Sequence, residues 1–311
     1  MYSIIIPVYK NRESLGELLG VLSALDGRLG GQLEVVFVVD ASPDEAFPFL
    51  KQELPKQPFA SQLLLLSRNF GSFAAIRAGM IAARGDYFAV MAADLQEPIE
   101  LLEEFFESLR RESYDVVVGA RRSREDPFLS RLFSAIFWRI YRLLVQEEMP
   151  IGGVDVFGCN KTVRDRLLAL QESNSMLVGL LFWLGYRRKE IAYRRLPRRH
   201  GQSAWSFRRK LRYVFDSVFA FSDLPIRLLT ASGLASMAFA VCFGAVVLFC
   251  KLTNLIVVPG YSATVLVISF FSGLNALGLG VIGSYVWRAF ENTKGRPLAI
   301  VMESHSFKEA R

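Results

Sequence analysis

The chain has 311 residues, enough for one large domain or two ordinary ones, and 52% of them are hydrophobic, which is high for a protein that meets only water. The net charge is +7, but the basic residues crowd beside long apolar spans instead of forming an aromatic-interleaved patch, so nucleic acid is excluded and anionic lipid headgroups are the expected partner. Three cysteines, Cys159, Cys242 and Cys250, give no even disulfide framework and read as buried small hydrophobes.

The chain opens on a strand-like run at 2–8 with no basic-then-apolar signal peptide, so the front domain is expected to fold in the cytosol. Short apolar runs follow at 34–39, 63–66, 87–91 and 115–118, separated by helix-length segments. Runs this short and this apolar predict parallel strands buried on both faces, in a doubly wound α/β domain. Helices are predicted at 13–25, 73–83 and 99–110, the last opened by Pro98 at a favourable first-turn position.

Over 127–145 the apolar residues recur at helical spacing with Arg131, Arg139 and Arg142 among them. This predicts a basic amphipathic helix that lies in a membrane interface or packs on the α/β domain. A short strand is expected at 152–158, helices at 161–170 and 175–184, and a strand at 189–195. The stretch 194–203 is too rich in Pro, Gly and charge for a regular element and reads as a basic loop, in which His200 is a loop residue and not a general base. A second amphipathic helix is expected at 207–226.

No charged residue lies between Arg227 and Lys251, or between Lys251 and Arg288, so each interval exceeds the roughly 20 residues that cross a bilayer. The spans, 228–250 and 262–287, form a helical hairpin. Only Lys251 lies near the connector, so the positive-inside rule places both termini and the front domain in the cytoplasm. The expected layout is a catalytic domain at 1–206, a juxtamembrane helix at 207–226, the hairpin at 227–289 and a cytoplasmic tail at 290–311.

Open parallel sheets bind ligands at the carboxyl ends of their strands. Four groups fall there: Pro7-Val-Tyr9-Lys-Asn11-Arg-Glu13, then Asp40-Ala-Ser-Pro-Asp44, then Ser67-Arg68-Asn69-Phe70-Gly71, then Ala92-Ala93-Asp94-Leu-Gln96-Glu97. An acid after the fourth strand can hold a hard cation through oxygen, and an acid after the second can accept hydrogen bonds from a base. Taken singly each group also reads as a turn or a helix cap.

As a set, with Arg199-x-Gly-x-Ser203, Phe221-Ser-Asp-Leu-Pro-Ile-Arg227 and Lys294-Gly-Arg-Pro-Leu298, these motifs resemble the family 2 inverting glycosyltransferases of GT-A fold, and more narrowly the polyprenyl-phosphate or dolichol-phosphate hexosyltransferases. The resemblance covers nearly the whole chain. It implies that Pro7, Tyr9, Asn11, Glu13, Asp40, Arg68 and Ala93 line the nucleotide-sugar site, with Arg199 and Ser203 on a loop that closes over the donor. It implies Mg2+ or Mn2+ at Asp94 and Gln96, and Asp155 facing the sugar as base or orienting residue. Arg121, Arg131 and Ser134 are the candidates for the acceptor phosphate, because guanidinium forks fit phosphate oxygens.

The implied activity is hexosyl transfer from a nucleotide sugar, UDP- in preference to GDP-linked, to a polyprenyl phosphate at the cytoplasmic face of a bacterial inner membrane, in the building of cell-envelope glycans. Transfer to a lipid-linked saccharide or lipid hydroxyl, a catalytically silent membrane scaffold, and assembly as a homo-oligomer remain open alternatives. Two departures from the family pattern stand out. Ala92 replaces the first acid of the usual Asp-Ala-Asp, so one carboxylate fewer is available to a metal, and Val39-Asp40-Ala41-Ser42 stands where the family usually has Asp-Asp-Gly-Ser.

Overall fold

The computed structural model describes residues 1–111, 114–121, 139, 142, 148–150, 153–172, 176–197, 218–220, 222, 224–253 and 260–308. Strands β1 (Tyr2–Val8), β2 (Leu33–Val39), β3 (Ala60–Leu66), β4 (Tyr87–Val90), β5 (Val116–Arg121), β6 (Val154–Asn160), β7 (Arg188–Tyr193) and β8 (Val301–Phe307) form one sheet in the order β7-β5-β6-β4-β1-β2-β3-β8. β1 to β4 pair in parallel, as do β5 and β7, while β6 is antiparallel to β4 and β5 and β8 is antiparallel to β3.

Alternation along each strand explains the two cores. Ile4, Ile6 and Val8 face one way with Val35, Phe37 and Val39, against α1 (Leu15–Arg28) and α4 (Ile99–Arg111). Ile5 faces the other way with Val36 and Val38, against α3 (Ser72–Ala82), α5 (Lys161–Ala169) and α6 (Leu177–Trp183). Both faces of the central strands are therefore dry, which is why they read as unbroken apolar runs. Gly79 lets α3 sit close to the sheet, since a Cβ there would lie 2.5 Å from Ile5 Cγ2. Asn160 caps α5 by accepting from Val163 N at 3.0 Å and fixes the strand end by donating to Asp115 at 3.0 Å. Arg77, buried on α3, donates to the Leu168 and Leu170 carbonyls that the end of α5 leaves open, and burial lowers its pKa.

The predicted strands and helices of the front half are found within a few residues of the expected limits. Helix α2 (Ala46–Glu53), followed by a 3-10 turn at Leu54–Lys56, was not predicted, because Pro48 and mixed polarity hide its short apolar face. The segment expected as a plain cytoplasmic tail at 290–311 instead returns to the catalytic sheet as edge strand β8. Its Glu303-Ser304-His305-Ser306 centre carries no apolar run, so hydrophobic patterning does not betray it.

Two long helices, α7 (Leu224–Leu252) and α8 (Tyr261–Thr293), occupy the positions expected for the hairpin. Both are long and apolar enough to cross a membrane, with mean hydropathy 1.8 over Leu224–Val246 and 1.3 over Phe270–Thr293. Gly278 allows close approach, a Cβ there meeting Leu229 Cδ1 at 3.1 Å. At its far end Tyr285 contacts Phe219 edge-on and donates to Ser222 O at 3.4 Å. Cys159 is buried, its thiol pushed up to about 12 by desolvation, and Cys242 lies on an outward face of the apolar helix α7. The amphipathic stretch at 127–145 and most of 207–226 lie outside the described residues.

Candidate active site

The carboxyl ends of β1, β2, β3 and β4 open on one edge of the sheet, and three non-glycine residues there adopt left-handed backbone: Lys10 (φ 58), Ala41 (φ 46) and Leu95 (φ 55). Each follows a different strand, β1, β2 and β4. Backbone of this kind is held only where surrounding bonds over-determine it, and it clusters at binding sites.

Those bonds are visible. Lys10 N donates to Ser42 Oγ at 2.7 Å and Arg12 N to Asp44 Oδ2 at 2.9 Å, tying the loop after β1 to the loop after β2. Asp40 accepts from Phe70 N at 2.7 Å and Gly71 N at 2.8 Å, one bond to each carboxylate oxygen, and so fixes the loop that begins α3. Asp40 itself is buried, 3% exposed, so its carboxylate is satisfied by these amides. Gly71, at φ 95, makes the turn that aims these two amides at Asp40. Ser14, buried at the head of α1, donates to Ala93 O at 2.6 Å and locks the turn after β4 onto the turn after β1. Pro7, Tyr9 and Asn11 are partly exposed, and Glu13 and Arg68 are exposed, around this end of the crevice.

On the other side of β4 the antiparallel course of β6 matters, because it brings the start of that strand beside the ends of β4 and β5. Asp155 from β6 thereby pairs with Arg121 from the end of β5. Asp94 and Gln96 are buried, each 8% exposed, and Gln96 N lies 3.4 Å from Asp94 Oδ1. The Gln96 backbone O accepts from Leu196 N at 2.8 Å and its Nε2 donates to Leu196 O at 3.2 Å, so the segment after β7, leading to the basic loop, is pinned against the β4 turn. Arg199 and Ser203 on that loop, and Arg131 and Ser134, lie outside the described residues.

Three residues join this cluster: Glu97, placed by the sequence in the fourth strand-end group but given no role, and Tyr193 and Arg195, which were not singled out. Glu97 is 3% exposed, and its carboxylate has no side-chain hydrogen-bond partner among the described residues. Burial, then the nearby Asp94 charge, push its pKa up to about 7, against the opposing pull of Arg195, the Ala92 backbone N–H and Arg121. The Tyr193 hydroxyl is shifted upward too, by burial first and then by Glu97. Their positions were foreshadowed, Glu97 by its place in the Gln-Glu-Pro run and the other two by the strand predicted at 189–195, but burial without a side-chain partner is a property of the packed chain.

Oxygen donors suit a hard divalent cation, and the turn after β4 brings the Asp94 carboxylate and the Gln96 amide together. Among the described residues no three of His, Cys, Asp and Glu are grouped as a metal cage, so a bound ion would need oxygens from a ligand or water to complete its shell. Ala92, half-buried, stands where a second acid would have helped.

The profile of glycosyl transferase family 2 matches residues 3–169, which holds β1 to β6 and the crevice residues up to Asp155. The chain belongs to glycosyl transferase family 2. Among its relatives are the uncharacterized glycosyltransferase YkcC of Bacillus subtilis (strain 168), 31% identical over all of this chain and 96% of that one, and the undecaprenyl-phosphate 4-deoxy-4-formamido-L-arabinose transferase of Pseudomonas savastanoi pv. phaseolicola (strain 1448A / Race 6), 30% identical over 95% of this chain and 88% of that one. The crystal structure of mannosyl-3-phosphoglycerate synthase from Rubrobacter xylanophilus shares the fold, with a TM-score of 0.50, 15% identity and 75% of each chain covered. This glycosyltransferase therefore has the GT-A architecture, followed by two apolar helices and closed by a strand from beyond them.

Proposed function

We propose that this glycosyltransferase moves a hexose from a nucleotide sugar, UDP-linked in preference to GDP-linked, onto the phosphate of a polyprenyl phosphate, with inversion at the anomeric carbon and on the cytoplasmic face of the membrane. The observation that carries the reading is the division of the crevice. The ends of β1, β2 and β3 offer a rigid hydrogen-bonding rim around Asp40, while the ends of β4 to β7 gather acids and guanidiniums. The first suits a nucleoside and the second a diphosphate, a sugar and an incoming phosphate. Similarity to an undecaprenyl-phosphate sugar transferase over nearly the full chain supports a lipid phosphate as acceptor, and α7 and α8 supply the means of holding the enzyme where that lipid lies.

In this reading Pro7, Tyr9, Asn11, Glu13, Asp40, Arg68 and Ala93 surround the donor, with Arg199 and Ser203 closing on it. Asp94 and Gln96 would hold Mg2+ or Mn2+, which when bound supplies positive charge against the diphosphate. Arg121, with Arg131 and Ser134, receives the acceptor phosphate, and Asp155 orients the sugar and acceptor. A phosphate monoester is already ionised near neutral pH, so the protein's task is alignment for in-line attack more than proton removal. The purified full chain, given undecaprenyl phosphate and a panel of UDP- and GDP-hexoses with Mn2+ or Mg2+, is expected to form a lipid-linked hexose with at least one UDP-sugar. Silence with every donor would refute the reading.

A further inference from the structure

The transfer reading gives tasks to Tyr9, Asn11 and Glu13 on the loop after β1 and to Asp94 and Gln96 on the turn after β4, and leaves Ser14, which joins the two, without one. Ser14 occupies the N-cap of α1, where a serine side chain ordinarily accepts from a backbone amide of the first helical turn. Here it makes no such bond. Its hydroxyl has one proton to give, and two carbonyls lie within reach, Asn11 O at 2.9 Å and Ala93 O at 2.6 Å. Asn11 O already accepts from Ser14 N at 3.1 Å, and the shorter contact takes the proton to Ala93 O, 79 residues away along the chain. A residue placed to cap its own helix is thus spent on another loop.

That loop is the stretch that presents Asp94. Ser14 and Ala93 are each 2% exposed, so the bond is made away from water, and a carbonyl that lost it would be left buried without its donor. The Ala93 carbonyl belongs to the planar peptide unit that ends at the Asp94 Cα, so fixing it constrains how the Asp94 side chain leaves the backbone. Upstream, Met91 N donates to Ile5 O at 3.1 Å, and downstream Gln96 is paired with Leu196 through its backbone O and its Nε2. Between these fastenings Leu95 holds left-handed backbone, φ 55, which a leucine keeps only where its surroundings impose it.

We propose that Ser14 is a positioning residue for the donor: by fixing the Ala93–Asp94 peptide against the loop that bears Tyr9, Asn11 and Glu13, it makes the nucleoside side and the metal side of the crevice one rigid frame, so that UDP and a divalent cation strengthen each other's binding. The inference rests on the donor and metal roles in the transfer reading above. With the frame set beforehand, neither ligand has to order the turn. Without it, that ordering opposes the binding of the two together, because only the pair engages both sides at once.

Calorimetric titration of UDP into the full chain, in EDTA and in saturating Mn2+, reads this coupling as a ratio of two Kd values. The wild type is expected to bind UDP about tenfold or more tighter with Mn2+. Ser14→Ala is expected to reduce that ratio by about fivefold or more while its Kd in EDTA stays within about threefold of wild type, and Ser14→Thr, which keeps the hydroxyl, should retain most of the ratio. Ser14→Gly suits a helix N-cap and lacks the hydroxyl, so it replaces Ser14→Ala if that variant does not fold and should lose the ratio in the same way. A ratio for Ser14→Ala or Ser14→Gly within about twofold of wild type, a Kd in EDTA weakened as much as the Kd in Mn2+, or equal losses in Ser14→Thr and Ser14→Ala would each overturn the proposal. A wild type whose UDP affinity ignores Mn2+ overturns the metal role and this inference together, whereas a coupled wild type matched by Ser14→Ala overturns the inference alone.

Discussion

At the scale of residues, Ala92 and Glu97 pull in opposite directions. Ala92 removes an acid from the place where the family usually has one, and Glu97 adds a buried acid three residues past Asp94. Returning the carboxylate with Ala92→Asp is expected to tighten Mn2+ binding by about tenfold, since each added oxygen ligand raises the affinity of a hard-cation site. A Mn2+ titration of UDP binding that does not move would show that position 92 faces away from the ion. Glu97 carries its own signature in stability. Its pKa is raised from 4.5 to about 7, so the folded protein holds a proton that the unfolded chain releases in that interval. Stability from this group is whole below pH 4.5 and is lost as pH rises through 7, by about 3 kcal/mol in all. Thermal unfolding of the metal-free protein from pH 5 to 8 should therefore fall more steeply for wild type than for Glu97→Gln, and parallel curves would contradict the assignment. The sequence pointed to Asp94 and Gln96 through strand order and motif, and to Asp155 through the family resemblance alone. It could not reveal that Arg121 is held by Asp155 or that Glu97 lacks a side-chain partner, because both depend on β6 running antiparallel and on the path after β7.

At the scale of elements, the strands and helices that bury both faces were legible because their composition leaves them no other place. Ile4, Ile5 and Ile6 or Val35 to Val39 cannot face water on either side of a sheet, and the spacing between such runs fits a crossover helix. Close approach of α3 is a finer consequence. Gly79→Ala would place a Cβ 2.5 Å from Ile5 and 3.0 Å from Val38, and should cost about 1–3 kcal/mol by overpacking. Denaturation of the variant at wild-type midpoint would mean that α3 can ride outward freely. Strand β8 is the counter-example, invisible to patterning because its side chains are largely exposed and polar. It nonetheless covers the edge of β3 from Leu66 to Ser61, with Ser67 N bonded to Ile300 O at 3.0 Å. Deleting residues 301–311 bares that edge, which invites pairing between chains. The expected outcome is a lower Tm and a shift to larger species on size exclusion, while an unaltered profile would make β8 dispensable.

At the scale of the molecule, the return of the chain to the sheet after α8 ties the end of the apolar hairpin to the catalytic domain. Residues 294–300 leave α8 to reach the β3 edge of the sheet, where Ile300 O accepts from Ser67 N. A catalytic sheet joined in this way to helices long and apolar enough to cross a membrane is suited to an acceptor whose phosphate sits at a lipid surface. The sequence showed the two apolar spans by length and charge, but this fastening lay in a largely polar strand that hydropathy passes over. The acceptor is the centre of this account, and comparing undecaprenyl phosphate, undecaprenol and undecaprenyl diphosphate with one labelled UDP-hexose tests it most directly. Product of one hexose mass added to undecaprenyl phosphate, joined as a phosphodiester and matched by one released UDP, is the expected result. Label carried by undecaprenol as readily as by its phosphate would contradict it.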